Sequence, residues 1–119
     1  MTLILSNRKP KTMVRILELD SEENERDFRI LFKENYIQFV RKKEDDAYRY
    51  EFPGRGLSMT IQPYTIHNYN YFIDRQVMKQ PTIEVTLGEL NAKNKEFAES
   101  LAESIDEMAN NLANSRNVA

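Results

Sequence analysis

Residues 21–43, SEENERDFRILFKENYIQFVRKK, decide the fold of this chain. Read with a helical period, Phe28, Leu31, Phe32, Tyr36, Phe39 and Val40 follow one stripe. Asp20 or Ser21 can cap the start, and Glu22, Glu23 and Glu25 crowd the first turns. Arg41-Lys42-Lys43 closes the last turn, which completes the charge order that the helix dipole favours. Read as strands, the same residues divide into Phe28–Phe32 and Tyr36–Arg41 around Lys33-Glu34-Asn35, a division supported by their aromatic and β-branched content. Period, cap and dipole agree on the helix, so one helix over about 21–43 is expected.

Working outward, Thr12–Leu19 has the composition of a strand, with Pro10 suited to its entry. Glu44-Asp45-Asp46 reads as a turn, Ala47–Phe52 as a strand, and Pro53-Gly54-Arg55-Gly56 as a tight connection. Leu57–Ile61 alternates as the next strand, with Pro63 at its edge or end. Ile66–Val77 and Thr82–Leu87 supply two more. From Glu89 to about Asn114 the pattern is helical, with Leu101, Ile105, Met108 and Leu112 spaced four, three and four apart.

The expected fold is therefore α+β: one domain over residues 1–119, with a four- to five-stranded antiparallel sheet packed by helices at about 21–43 and 89–114. No repeat or Gly/Ser/Pro-rich linker divides the chain. If residues 21–43 instead form two strands, the order becomes seven strands and a C-terminal helix. That order resembles the pleckstrin-homology superfold, a seven-stranded β-barrel closed by a helix. The resemblance lies in element order alone and carries over no residue or function.

Composition narrows the function classes. The chain has no cysteine and one histidine, which removes disulfides, thiolate catalysis and Cys-ligated zinc, and suits a reducing cytoplasm. Met1-Thr-Leu-Ile-Leu5 is too short an apolar run for a signal peptide or membrane span. The net charge of −2 is uneven: residues 1–83 carry 14 Lys/Arg against 12 Asp/Glu, and residues 84–119 carry 3 against 7. A strongly basic nucleic-acid footprint is absent. No nucleophile–base pair, metal set, phosphate loop or dinucleotide fingerprint is assembled, so neither an enzyme nor a cofactor is expected.

The candidate binding residues come from the tyrosines. Five of the six lie between Tyr48 and Tyr71, in the alternating runs Tyr48-Arg-Tyr50-Glu-Phe52 and His67-Asn-Tyr69-Asn-Tyr71. Alternate residues of a strand share a face, so each run presents a row of rings. With Arg49 and Glu51 opposite, the rings of Tyr48–Phe52 form the natural core side of their strand. His67, Tyr69 and Tyr71, with Arg55, Tyr64 and Arg75 nearby in sequence, are the better binding candidates. Leu101, Ile105, Met108 and Leu112 form a candidate self-association stripe fitting d, a, d, a of a heptad, with Asn94 at the preceding d position.

These features suit a small non-catalytic module acting through protein–protein contact or self-association, of the accessory kind found in phages and mobile elements. The alternative is a single-stranded nucleic acid binder that stacks bases on Tyr48, Tyr50, Tyr69 and Tyr71 beside Arg49, Arg55 and Arg75.

Overall fold

A computed structural model of the chain describes residues 11–64 and 81–118. Five strands, β1 (Lys11–Leu17), β2 (Val40–Glu44), β3 (Ala47–Phe52), β4 (Leu57–Pro63) and β5 (Ile83–Leu90), form one sheet in the order β1-β5-β4-β3-β2. Every neighbouring pair is antiparallel. Two helices, α1 (Ser21–Glu34) and α2 (Lys95–Val118), complete the α+β architecture. The sheet is open, with edges at β1 and β2, so the barrel alternative does not hold. The expected strand at Ile66–Val77 lies outside the described residues.

The deciding stretch contains one helix and one strand. Asp20 caps α1 by accepting from the Glu23 amide at 2.8 Å, as its extended backbone allows. The helix then stops at Glu34 instead of running to Lys43. Asn35 donates from its side chain to the Leu31 carbonyl at 2.8 Å. Beyond it, Tyr36 N donates to Lys33 O at 3.1 Å and Ile37 N to Phe32 O at 2.8 Å. This pair of bonds is the Schellman termination, with Tyr36 in the left-handed position (φ 57°) that glycine normally takes. Arg41-Lys42-Lys43, expected at the helix end, instead forms most of strand β2.

Side-chain alternation orients the strands. Tyr48, Tyr50 and Phe52 on β3, Leu57, Met59 and Ile61 on β4, and Ile83, Val85 and Leu87 on β5 are all buried. Phe28 and Phe32 of α1 and Ala98, Leu101, Ala102 and Ile105 of α2 cover them. Phe32 anchors an aromatic group, its ring centroid 5.3 Å from Phe39, 5.2 Å from Tyr50 and 5.3 Å from Phe52. The Tyr50 and Phe52 contacts are edge-on, which aligns ring edges with ring faces and contributes beyond simple area burial, while Phe39 is tilted. The reading of Tyr48–Phe52 as a core strand therefore holds.

Helix α2 begins at Lys95, later than the expected Glu89. Glu89 and Leu90 finish β5, and Asn94 is fully buried before the first helical turn. Its side chain donates to Gly56 O at 3.0 Å and Glu89 O at 3.2 Å, and accepts from the Asn91 amide at 2.8 Å. The Asn94 carbonyl then accepts from Ala98 N at 2.9 Å. Asn94 thus joins the β3–β4 turn, the end of β5 and the start of α2, and is not part of a continuing heptad.

Candidate binding surfaces

The polar layer under α1 was not apparent as a unit in the sequence. Glu25 is on the same stripe as Phe28 and Phe32, and only 3% of it is exposed. Its carboxylate accepts from the Tyr50 hydroxyl, from Arg41 Nε at 2.5 Å and from Arg29 Nε at 3.0 Å. Arg41 reaches it because Arg41 and Lys43 share the helix-facing side of β2 with their register partners Tyr50 and Tyr48. One turn earlier on α1, Glu22 accepts from the Tyr48 hydroxyl and pairs with Lys43 at 3.7 Å.

Burial pushes the Glu25 carboxyl up. The Tyr50 and Arg41 hydrogen bonds and the Arg41 charge outweigh it and hold the group below its ordinary value. Burial, reinforced by the bond to Glu25, pushes the Tyr50 phenol far up. The bond to Glu22, with burial, also raises Tyr48. Glu25 therefore stays ionised and both phenols stay protonated at neutral pH. The arrangement fastens α1 to β2 and β3, and neither partner is poised to move a proton there.

The sheet face away from the helices carries Arg49 and Glu51 on β3, Ser58, Thr60 and Gln62 on β4, and Glu84 and Thr86 on β5. Its charges are locally matched: Arg49 lies 3.4 Å and Lys42 4.0 Å from Glu51. Gln62 donates to Glu84 at 3.2 Å. Tyr48 and Tyr50 point the other way, into the core. A shallow recess of about 490 Å3 near Arg49, Glu51, Ser58 and Gly88 is mixed in character, with Val40, Pro53 and Leu57 also among its lining residues.

Between the helices lies a groove of about 230 Å3 with an apolar floor and an acidic rim. Ile30 and Leu31 of α1 and Met108 and Leu112 of α2 supply the floor, while Asp27, Glu34 and Glu107 border it. No lysine or arginine is among its lining residues. Ile30 is 39% exposed, and Met108 and Leu112 are half-buried. The groove exists because the apolar stripe of α2 continues past Ile105, the last of its fully covered apolar residues. The candidate self-association stripe is thereby divided: Leu101 and Ile105 belong to the core, while Met108 and Leu112 form a surface.

Arg55 sits exposed at the β3–β4 turn, its guanidinium 4.4 Å above the Phe97 ring, so its cation–π contact links that turn to α2. Tyr64 is half-buried just after β4, where its amide donates to Thr82 O at 2.9 Å. The structure does not bring these two residues into the groove. His67, Tyr69, Tyr71 and Arg75 lie outside the described residues. Among the described residues no group of His, Cys, Asp or Glu could hold a metal ion, and no helix is long and apolar enough to cross a membrane.

Comparison with family models, curated proteins and solved structures returns no match.

Proposed function

We propose that this chain is a non-catalytic protein-binding module whose partner docks in the groove between α1 and α2. The observation that carries this reading is the acidic-rimmed apolar floor of Ile30, Leu31, Met108 and Leu112. Half-exposed apolar side chains on two packed helices offer the kind of groove that receives an amphipathic helix. The acidic border favours a partner segment whose apolar stripe is flanked by Lys or Arg, because complementary charge speeds encounter and selects partners. The polarised carboxylate and phenols beneath α1 support a structural role for the one buried titratable cluster among the described residues.

A peptide-display selection against the immobilised protein, followed by fluorescence anisotropy on the winners, tests the proposal. Selected peptides should carry apolar residues at helical spacing with flanking basic residues, and should bind more weakly as salt rises. Ile30→Glu and Leu112→Glu should each weaken binding at least tenfold while the far-ultraviolet spectrum stays unchanged. Peptides that bind both variants as well as they bind the parent protein would refute the groove as the docking site.

A further inference from the structure

The two edges of the sheet differ in a way that points to self-pairing. Edge strand β2 presents Arg41, Lys42 and Lys43 in succession, all exposed. Such a run of cations is the usual protection of an edge against further strand addition. Edge strand β1, with sequence KTMVRIL, has no such run: its cations are Lys11 at one end and Arg15, which is paired with Asp106 on the helix side. Its pairing with β5 is regular from Thr12 to Leu17, with the single irregularity between Lys11 and Thr12. Among the described residues, nothing pairs with its outer side. Its open-face residues include Val14, 42% exposed, and Ile16, 45% exposed. Among the described residues, Val40, at the β2 edge, is the other large apolar side chain exposed on that face.

We propose that β1 pairs antiparallel with β1 of a second copy, across a two-fold axis normal to the sheet and centred on Val14. Residues directly opposite in an antiparallel pair share a face, so such an axis must pass through a residue paired with itself. Centring on Arg15 would set two Arg15 side chains against each other, and centring on Met13 would set Lys11 against Arg15. Centring on Val14 pairs all seven residues of β1. It places Val14 against Val14, Thr12 against Ile16, Met13 against Arg15, and Lys11 against Leu17. The open face then gains a continuous β-branched row across the seam, and no like charges stand opposite. On the helix side, the Asp106 carboxylate holds Arg15, with contacts of 2.9 and 3.1 Å, and offsets its charge.

Charge also selects the closed dimer over a filament. Pairing β1 with β2 of the next copy would bring Lys11 and Arg15 alongside Arg41, Lys42 and Lys43. A β1–β1 seam consumes the one unprotected edge and leaves the cationic edges outward, giving a ten-stranded sheet. This surface is separate from the groove between the helices, and the proposal does not depend on a partner binding there.

The absence of native cysteine makes the register directly readable. Opposed Cα atoms in an antiparallel pair lie about 4.5–5.5 Å apart, which is within disulfide reach. Under mild oxidation, Val14→Cys should give a covalent dimer. Thr12→Cys and Ile16→Cys should each crosslink poorly alone and well when mixed. Ser58→Cys, on a central strand, sets the background. In light scattering the parent protein should have twice the 14.1 kDa chain mass, and Val14→Lys should reduce it to 14.1 kDa with an unchanged far-ultraviolet spectrum. Three results would each overturn the proposal: Val14→Cys crosslinking no better than Ser58→Cys, a parent protein that stays at 14.1 kDa at its solubility limit, or a dimer that survives Val14→Lys. In the last case, a dimer lost on Leu112→Glu would place the interface in the groove.

Discussion

Glu25→Ala should be among the most damaging single substitutions on α1. It removes the acceptor for the Tyr50 hydroxyl, on a tyrosine that is itself fully buried, and an unsatisfied buried polar group costs about 1–3 kcal/mol. It also removes the counter-charge of Arg29 and Arg41. Both arginine side chains are 37% exposed, so water replaces much of that interaction and each pair adds only about 0–1 kcal/mol. The expected loss is about 3 kcal/mol, near the lower end of the range for breaking a buried ion pair. For a chain of this length that is roughly a 12 °C fall in melting temperature. Glu25→Gln keeps an acceptor for Tyr50 and should lose about half as much. Urea unfolding followed by circular dichroism gives the free energies directly, with Glu22→Ala as the comparison. The Glu22 side chain is 70% exposed, so its loss should cost about 1 kcal/mol or less. A Glu25→Ala cost no larger than that of Glu22→Ala would refute the reasoning.

Three further outcomes are expected. Tyr36→Gly should stabilise the fold by about 1 kcal/mol in the same urea assay, because Tyr36 is 94% exposed and pays the left-handed backbone cost that glycine avoids. Asn94→Ala should cost about 2–3 kcal/mol by leaving the Gly56 and Glu89 carbonyls short of a donor, and should show in thermal melts as early loss of α2 helicity. Stability should fall on both sides of neutrality in a pH series of urea midpoints. Glu25 is depressed in the folded state, so its contribution is present above its ordinary value of 4.5 and fades as pH falls through the lower folded value. Tyr50 is raised, so its contribution is present below 10.0 and fades as pH climbs above that. Glu25→Gln should flatten the acid limb, and an acid limb unchanged by that substitution would count against the clamp.

How much of this was legible in the sequence differs by element. Strand β3 declared its core side because Tyr48, Tyr50 and Phe52 alternate with Arg49 and Glu51. The stripe of α2 was visible, but its division into core and surface was not, since helical spacing does not say where the sheet beneath a helix ends. Residues 21–43 misled because a helix and a following strand can both be apolar enough to continue one period. The stop depends on Asn35 and on Tyr36 adopting a conformation for which tyrosine gives no signal. Glu25 also suits a helix start as one of the acids in the first turns. Its spacing of three and seven from Phe28 and Phe32 was the available sign that it faces inward. The pairing of Arg41 with it could not be read from a helix that was expected to continue through Arg41.

The central claim, that the groove between the helices is the docking surface, is tested most directly by amide chemical-shift mapping of the labelled protein with a selected peptide. The account predicts that the largest shifts cluster at Ile30, Leu31, Ser104, Met108, Asn111 and Leu112, with β3 and β4 nearly still. Shifts concentrated instead on Arg49, Ser58 and Thr60 of the open sheet face, with the groove residues unmoved, would contradict it.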